Sequence, residues 1–355
     1  MQIDFHHAVT YVAARCAGFS HAEADVVAYA AQYVDDATSS GVVCFDNRAM
    51  YSRISSAHKM LDPLNLSDPE NHLTWLPFHF LPGNGQVAAG SNPEGTFIEK
   101  IVCRPDSPIA QEMVALALTD SGKPFGLHRL GIAMHVYADT WAHQGFAGVL
   151  HHVNDVDDAH DVGGSGVFGV LSGFLSDILD DSVPPIGHGR AGVLPDMPFL
   201  IWEYRNGMGQ VVHRDNPTDY MSAAQALCRA MQRYRKVTPN GLSAEDAALI
   251  RHLITSVKDQ DGDKRHAVWL DAIANGVSAG GSRTAFSWGK ATLSYADDGH
   301  NSWKAQALGT SIDMPVHPYK QDFLSSNWKL FHDALQAHRL AVLHDILPKY
   351  GICAA

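Results

Sequence analysis

Apolar residues recur at helical spacing along most of the chain, and helix-capping residues stand where several of these stretches begin. Asp4 precedes a helix predicted over 5–17, and Ser20 with Glu23 forms a capping box that opens a second helix ending at Asp36. The remaining predicted helices, in chain order, are 109–118, 125–150, 167–181, 197–206, 217–235, 243–257, 262–275 and about 320–346. This pattern predicts an all-α, mainly helical fold.

Two irregular segments interrupt the helical pattern. Residues 40–108 are rich in Pro, Asn, Gly and Asp, and residues 154–166 form a polar loop. Strand signals are weak and limited to short stretches around 96–103 and 207–213. A long segment without periodicity in a compact protein is more often a functional excursion than a linker, so we expect a single domain, 1–355, with long loops.

The composition excludes several classes of protein. The chain has 26 basic and 38 acidic residues, a net charge of −12, and no cluster of Lys and Arg, which argues against a nucleic-acid-binding module. No uncharged apolar run of about 20 residues is present, so we expect no membrane span. The start MQIDFHHAV does not resemble a signal peptide. We therefore expect cytoplasmic synthesis, with export by a leaderless route as the alternative.

The helix predicted over 125–150 carries the clearest chemical signal. His135, Asp139 and His143 are spaced at i, i+4 and i+8, which stacks two imidazoles and a carboxylate on one helix face. Such a set is suited to Zn²⁺ or a similar divalent metal. Without a cation, a buried carboxylate between imidazoles in this apolar helix would be costly to desolvate. The sequence therefore predicts a metal site here.

Further candidate ligands lie elsewhere in the first 196 residues. They occupy the first helix, the end of the second helix and two loops: Asp4, His6, His7, Asp35, Asp36, His79, His188 and Asp196. A helical bundle can gather such residues into one pocket that holds several metal ions. We expect 4–196 to supply the site and 197–355 to complete the same helical domain.

The order of these residues resembles that of the bacterial zinc-dependent phospholipases C, whose fold and trinuclear site are shared by the fungal zinc nucleases. The series is a His near the N-terminus, an Asp about thirty residues later, a loop His, the segment HVYADTWAH, and a loop His followed by a carboxylate. The chain is also similar to an uncharacterised bacterial family with segments like AARCAGF, QYVDDA, PFHFLPG and PDMPFLIW. The second resemblance implies no activity.

The first resemblance implies a role for each candidate. Asp35 or Asp36 would match the separate catalytic carboxylate of the phospholipases. The ligand sets of up to three zinc ions would be, in order, His79, His135 and Asp139; Asp139 as a bridge with His6 or His7; and His143, His188 and Asp196.

The chain departs from the family pattern in three places. Three residues rather than five separate Asp139 from His143, and Asp196 follows His188 by eight residues where the family has His-x3-Glu. The family also uses the amino group and carbonyl of an N-terminal Trp, a role that Asp4 or the second histidine of the His6–His7 pair would take here. These departures leave an expected count of two or three zinc ions.

The resemblance implies a metal-dependent hydrolase of phosphoric esters, with phospholipase C-like cleavage of a phosphodiester as the first expectation. The expected partners are a small-molecule or phospholipid substrate and peripheral contact with a membrane. One alternative is a nucleotide phosphohydrolase of the HD type, although the central helix lacks an adjacent His-Asp pair. Another is a non-catalytic, metal-stabilised binding or effector protein, in which protein ligands would close off the metals.

Overall fold

The computed structural model describes residues 1–58, 68–166 and 184–353. The helix predicted over 167–181 lies outside these residues. The α-helices are α1 Thr10–Cys16, α2 His21–Asp36, α3 Asp68–Phe78, α4 Ile98–Ile101, α5 Pro108–Thr119, α6 Gly126–Ala142, α7 Asn216–Tyr234, α8 Ala244–Ser256, α9 Gly262–Asn275, α10 Trp303–Leu308 and α11 Asn327–Leu340. Within these ranges, no helix combines the length and hydrophobicity that crossing a membrane would require.

Two of these helices are extended at one end by a wider, π-helical segment. The segment Asp4–Val9 leads into α1, and Ala341–Ile346 extends α11. Short 3₁₀-helices occur at Asn84–Gln86, Asp120–Gly122, His152–Asn154, Gly189–Ala191, Leu194–Asp196, Phe323–Ser325 and Leu347–Tyr350. The capping box predicted at Ser20 and Glu23 is confirmed, because each side chain bonds to the backbone N–H of the other residue.

In the described part of the chain, three small antiparallel sheets accompany the helices. Their strands are β1 Gly41–Cys44, β2 Met50–Arg53, β3 Val156–Asp161, β4 Ile201–Asn206, β5 Val211–Asp215, β6 Val277–Ala279 and β7 Ser282–Thr284. Strands β1 and β2 pair, as do β6 and β7, while β4 lies between β3 and β5. In the first pair Gly41 lies opposite Arg53, and in the central sheet Ile201 lies opposite Asp215.

The prediction of an all-α fold is wrong. The structure is mixed, with 51% helix and 12% strand in three antiparallel sheets. The helix predicted over 197–206 is strand β4, in which Trp202, Tyr204 and Asn206 are buried while the residues between them are not. This alternation has a period of two, so one face of β4 packs on an apolar cluster and the other faces outward.

Other boundaries also differ from the sequence prediction. The helix expected over 125–150 ends at Ala142, and residues 96–103 contain the short helix α4 rather than a strand. The strand expected around 207–213 corresponds to β5, which begins four residues later than expected. The irregular stretch 40–108 contains β1, β2 and α3.

Helix α6 lies at the centre of the molecule. It packs against α2, α3, α5, α7 and α11, and nearly all of its side chains are buried. Helix α2 approaches it most closely at Gly131, where an added Cβ would lie 2.4 Å from the carbonyl oxygen of Val27 and 2.7 Å from the Cβ of Ala30. Only glycine fits this crossing, and the crossing sets the distance between the end of α2 and the central part of α6.

The close crossing at Gly131 yields a stability prediction. We expect Gly131→Ala to lower the free energy of unfolding by about 1–3 kcal/mol, because the backbone of α2 would have to move away from α6. Chemical denaturation monitored by circular dichroism measures this loss. Gly122→Ala is the matched control, since an added Cβ there meets no heavy atom within 4 Å. Equal stability of the two variants would contradict the packing argument.

Candidate metal centre

Helix α6 brings the predicted His-Asp-His series onto its buried face. His135 Nε2 lies 3.2 Å from Asp139 Oδ2, and His143 follows directly after the last residue of the helix. The Asp139 side chain is only 1% exposed, and its Oδ2 atom has no hydrogen-bond partner among the described residues. An ionised carboxylate in such a position is costly without positive charge beside it. In this structure the α-amino group of Met1, 2.7 Å from Oδ1, supplies that charge, which shows that the site accepts a cation.

Three other elements add ligand atoms around Asp139. His6, on the first π-helical segment, places Nε2 3.1 Å from Asp139 Oδ1. His79, directly after α3, places Nδ1 3.4 Å from Asp139 Oδ2. Asp35, in the last turn of α2, lies with Oδ1 3.8 Å from both His79 Nδ1 and His135 Nε2. Five side chains from four separate elements therefore converge on one buried point.

A second group forms beside the first. His188 Nε2 lies 3.8 Å from Asp196 Oδ2, and the ring of His188 lies 4.7 Å from the ring of His143, centre to centre. The two loop residues are positioned by consecutive 3₁₀-helices, which turn the chain back toward the end of α6. Asp196 Oδ1 is buried and has no hydrogen-bond partner in the part of the chain described.

The spacing of these atoms fits a tetrahedral divalent metal. Zinc–nitrogen bonds of about 2.0–2.1 Å place neighbouring ligand atoms about 3.4 Å apart. The groups whose ligand atoms all lie within 4.8 Å of one another are His6, Asp35 and His135; His79, His135 and Asp139; and His143, His188 and Asp196. The first two groups share His135, so they compete for its single free ring nitrogen.

Backbone carbonyls orient four of these imidazoles. One ring nitrogen of each histidine lies within hydrogen-bond distance of a carbonyl oxygen, which leaves the other nitrogen facing the cluster. The pairs are His79 Nε2 with Ser56 at 2.9 Å, His135 Nδ1 with Ala31 at 2.8 Å, His143 Nδ1 with His79 at 2.8 Å, and His188 Nδ1 with Gly192 at 2.9 Å. This arrangement is typical of metal-binding histidines, because the carbonyl fixes both the tautomer and the ring plane.

The electrostatics of the cluster favour neutral imidazoles and one ionised carboxylate. Burial lowers the pKa of His135 to about 4 and holds the pKa values of His6 and His143 well below the usual range. Burial alone would raise the pKa of Asp139, but the surrounding imidazoles and the α-amino group of Met1, 2.7 Å from Oδ1, hold it well below its usual value. Neutral imidazole and carboxylate are the forms that bind metals.

Three of the predicted residues lie outside these groups: Asp4, His7 and Asp36. Asp4 accepts hydrogen bonds from the Arg265 guanidinium, with Nε at 2.7 Å from Oδ2 and Nη2 at 3.2 Å from Oδ1. His7 Nδ1 lies 2.8 Å from His266 Nε2, so its ring pairs with α9 rather than with Asp139. Of the adjacent pair His6 and His7, the structure therefore places His6 among the ligand groups.

Asp36 has a different environment from its neighbour Asp35. It accepts hydrogen bonds from Tyr295 and from Gln32 Nε2, the latter at 3.1 Å. Burial raises the pKa of Asp36, and these two hydrogen bonds oppose that rise. Burial also raises the pKa of Asp35 well above its usual value, together with the nearby charges of Asp139 and Asp36. A metal ion beside Asp35 would offset that cost.

The ligand groups open onto a cleft of about 970 Å³. From these groups the cleft is lined by Asp35, His79, Asp139, His143, His188 and Asp196, and from their edge by Asp36. The cleft is also lined by residues from α9, from the segment just before it and from the loop near 295, which the sequence analysis did not single out: Gln260, Asp261, Asp263, His266, Ser294, Tyr295 and Asp297. No spacing pattern in the sequence connects these residues to the metal ligands. Among them, only His266 is of a residue type that by itself suggests a metal site.

Comparison with known proteins identifies a family without a described activity. A family model described as "Family of unknown function (DUF6765)" matches residues 1–346. The comparisons with curated proteins and with solved structures found no match.

The ligand geometry predicts the metal content. We expect two zinc ions per chain, because His135 Nε2 can serve only one ion and His143, His188 and Asp196 form a separate group. Asp139→Ala should remove the ion beside His135, and His188→Ala only the other. Elemental analysis with an anomalous map measures this, with His344→Ala, an exposed histidine outside the site, as the control. Protein that binds no zinc on titration would contradict the expectation.

Proposed function

The chain belongs to DUF6765, a family of unknown function, and from the site itself we propose that the protein is a metal-dependent hydrolase of phosphoric esters. The first substrate class to consider is a phosphodiester, cleaved as in a phospholipase C. The observation that carries the proposal is the set of four imidazoles, each oriented by a carbonyl, around two carboxylates that open onto a cleft.

The residues present fit zinc ions in that cluster. His79, His135 and Asp139 would hold one ion, with Asp35 beside them, and His143, His188 and Asp196 would hold another. The buried oxygens Asp139 Oδ2 and Asp196 Oδ1 lack hydrogen bonds within the described ranges. The α-amino group of Met1 forms ion pairs with both carboxylates, at 2.7 and 3.3 Å, so positive charge is favoured between them. Bound zinc would supply Lewis acidity, which lowers the pKa of water and stabilises negative charge on a phosphate ester.

Two carboxylates of the chain would have separate roles in the reaction, one in positioning the metal groups and one in proton transfer. Asp139 holds the two groups together, because His135 and His143 lie one helical turn to either side of it. Asp36 faces the cleft beside Asp35 and is fixed by Tyr295 and Gln32, so we assign it the role of accepting a proton from the attacking water. The openness of the cleft supports an enzyme over a binding protein whose metals are closed off by ligands.

A substrate panel tests this proposal. We expect the zinc-loaded protein to release nitrophenolate from nitrophenyl phosphorylcholine and bis(nitrophenyl) phosphate, and Asp139→Ala to lose that turnover with its metal. Phosphatidylcholine vesicles and nucleotides in the same panel separate a phospholipase from a nucleotide phosphohydrolase. Full activity in Asp139→Ala, or no turnover of any ester by protein shown to contain zinc, would overturn the proposal.

The role of Asp36 gives a separate prediction. We expect Asp36→Asn to lower kcat by about 100-fold, because the amide cannot accept a proton, while the zinc content stays as in the wild type. Steady-state kinetics and elemental analysis on the same sample measure both quantities. Asp345→Asn, an exposed carboxylate after α11, is the matched control. A wild-type kcat in Asp36→Asn would show that this carboxylate does not take part in the proton transfer.

A further inference from the structure

A second large cavity, which we call the α7–α8 groove, lies between these two helices. It has a volume of about 790 Å³, and none of the described residues that line it also lines the metal cleft. Residues of α6, α7 and α8 surround it, together with the turn before α5. Small-molecule sites in proteins have volumes of roughly 300–1,000 Å³, so the groove has the size of a ligand site.

Small and apolar residues form the floor of the groove. Alanines on both helices line it, so no long side chain fills the space between α7 and α8. Trp141 and Met221, each 6% exposed, add a larger apolar surface. The alanines are Ala226, Ala244, Ala247 and Ala248. Such a floor favours contact with the apolar part of a ligand.

Two arginines that line the groove have no acidic partner among the described residues. Arg229 and Arg251 are exposed, and neither guanidinium forms an ion pair or a hydrogen bond within the described ranges. Arg233, one turn after Arg229, lines the adjoining cavity and is also unpaired there. By contrast, Arg214 and Arg235, just before and just after α7, each pair with a carboxylate. The groove therefore collects arginines whose charge is not neutralised.

One carboxylate lines the groove, and it does not cancel this charge. Asp106 accepts hydrogen bonds from the Tyr137 hydroxyl and from Gln111 Nε2, both at Oδ1. Its single negative charge opposes two guanidinium groups in the groove and a third in the adjoining cavity. The acidic residues at the starts of α7 and α8 do not line the groove: Asp215, Asp219, Glu245 and Asp246. The net local charge is therefore positive and attracts an anion.

Gln225 adds a neutral hydrogen-bond donor one turn before Arg229. Its Oε1 atom accepts a hydrogen bond from the Leu242 N–H at 3.0 Å, whereas its Nε2 atom has no partner within the described ranges. The turn between the helices fixes this side chain, because an added Cβ on Gly241 would lie 2.4 Å from Oε1 and 3.3 Å from Arg229 Nε. Amide and guanidinium N–H groups both suit the oxygens of an anion.

The two arginines lie at different places along the groove. Arg229 lies beside Gly241, in the turn before α8, whereas Arg251 lies seven residues after Ala244, where α8 begins. With a rise of 1.5 Å per residue, those seven residues span about 10 Å of helix. One compact anion cannot contact both guanidinium groups over that length, but a ligand with two separated anionic groups can.

We propose that the α7–α8 groove binds an organic dianion. The apolar body of the ligand would lie on the alanine floor, with one carboxylate or phosphate at Arg229 and the other at Arg251. This site would be additional to the metal centre and does not depend on the proposed function, because the two cavities have separate linings.

A matched pair of naphthalene compounds tests the proposal. Naphthalene-2,6-disulfonate combines a flat apolar body with two anionic groups, and naphthalene-2,6-disulfonamide has a similar shape without the charges. In calorimetric titration of the purified protein, we expect the disulfonate to bind at one site per chain and at least tenfold more tightly than the disulfonamide. The measurement needs no turnover, so it is informative whether or not the protein hydrolyses esters.

Substitutions locate the binding in the groove. Arg229→Gln and Arg251→Gln should each weaken disulfonate binding at least fivefold, and Ala248→Phe, at an exposed position of the floor, should weaken it by blocking the space. Arg48→Gln removes the same charge from the exposed β1–β2 turn and should bind as the wild type does. Circular dichroism checks that each variant is folded. Equal binding of the two compounds, no binding, or wild-type affinity in either groove arginine variant would overturn the proposal.

Discussion

The buried carboxylate of Asp139 is the constraint on which the rest of this structure depends. A charge on the central helix, removed from water, is stable only when other groups supply positive charge or hydrogen bonds around it. The chain before α1 provides the positive charge, because the α-amino group of Met1 lies 2.7 Å from Asp139 Oδ1. Imidazoles from two further places complete the surroundings: His6 lies 3.1 Å from Oδ1, and His79, after α3, lies 3.4 Å from Oδ2. The packing that forms the core is therefore also the packing that assembles the site.

The distribution of charge makes anion binding in the cleft depend on metal. A chain with a net charge of −12 repels anions in general, and several of its carboxylates line the cleft itself. Zinc bound by the histidines and aspartates would reverse the local field beside those ligands. Under the proposed function, that reversal would allow the cleft to accept an anionic phosphoric ester.

The errors of the sequence analysis have a common physical origin. Strand β4 has the alternation of a half-buried strand, but its six residues are too few to distinguish a period of two from a helical period without knowing what covers them. The end of α6 at Ala142 likewise depends on contacts made by the next residues. His143 Nδ1 lies within hydrogen-bond distance of the His79 carbonyl oxygen, and the Phe146 N–H bonds to the His143 carbonyl oxygen. Short elements depend on the surfaces they meet, and those surfaces come from distant parts of the chain.

The sequence by itself determined the helical stacking of His135, Asp139 and His143, because that spacing follows from the local geometry of a helix. It also determined the list of further candidates, since few residue types bind metals. Only the tertiary structure decided between His6 and His7, because their π-helical segment turns one ring toward Asp139 and the other toward His266. The shared contact of Arg53 and Lys304 with Asp313 could not be predicted either, since the two cations lie 251 positions apart in the chain and meet only through folding.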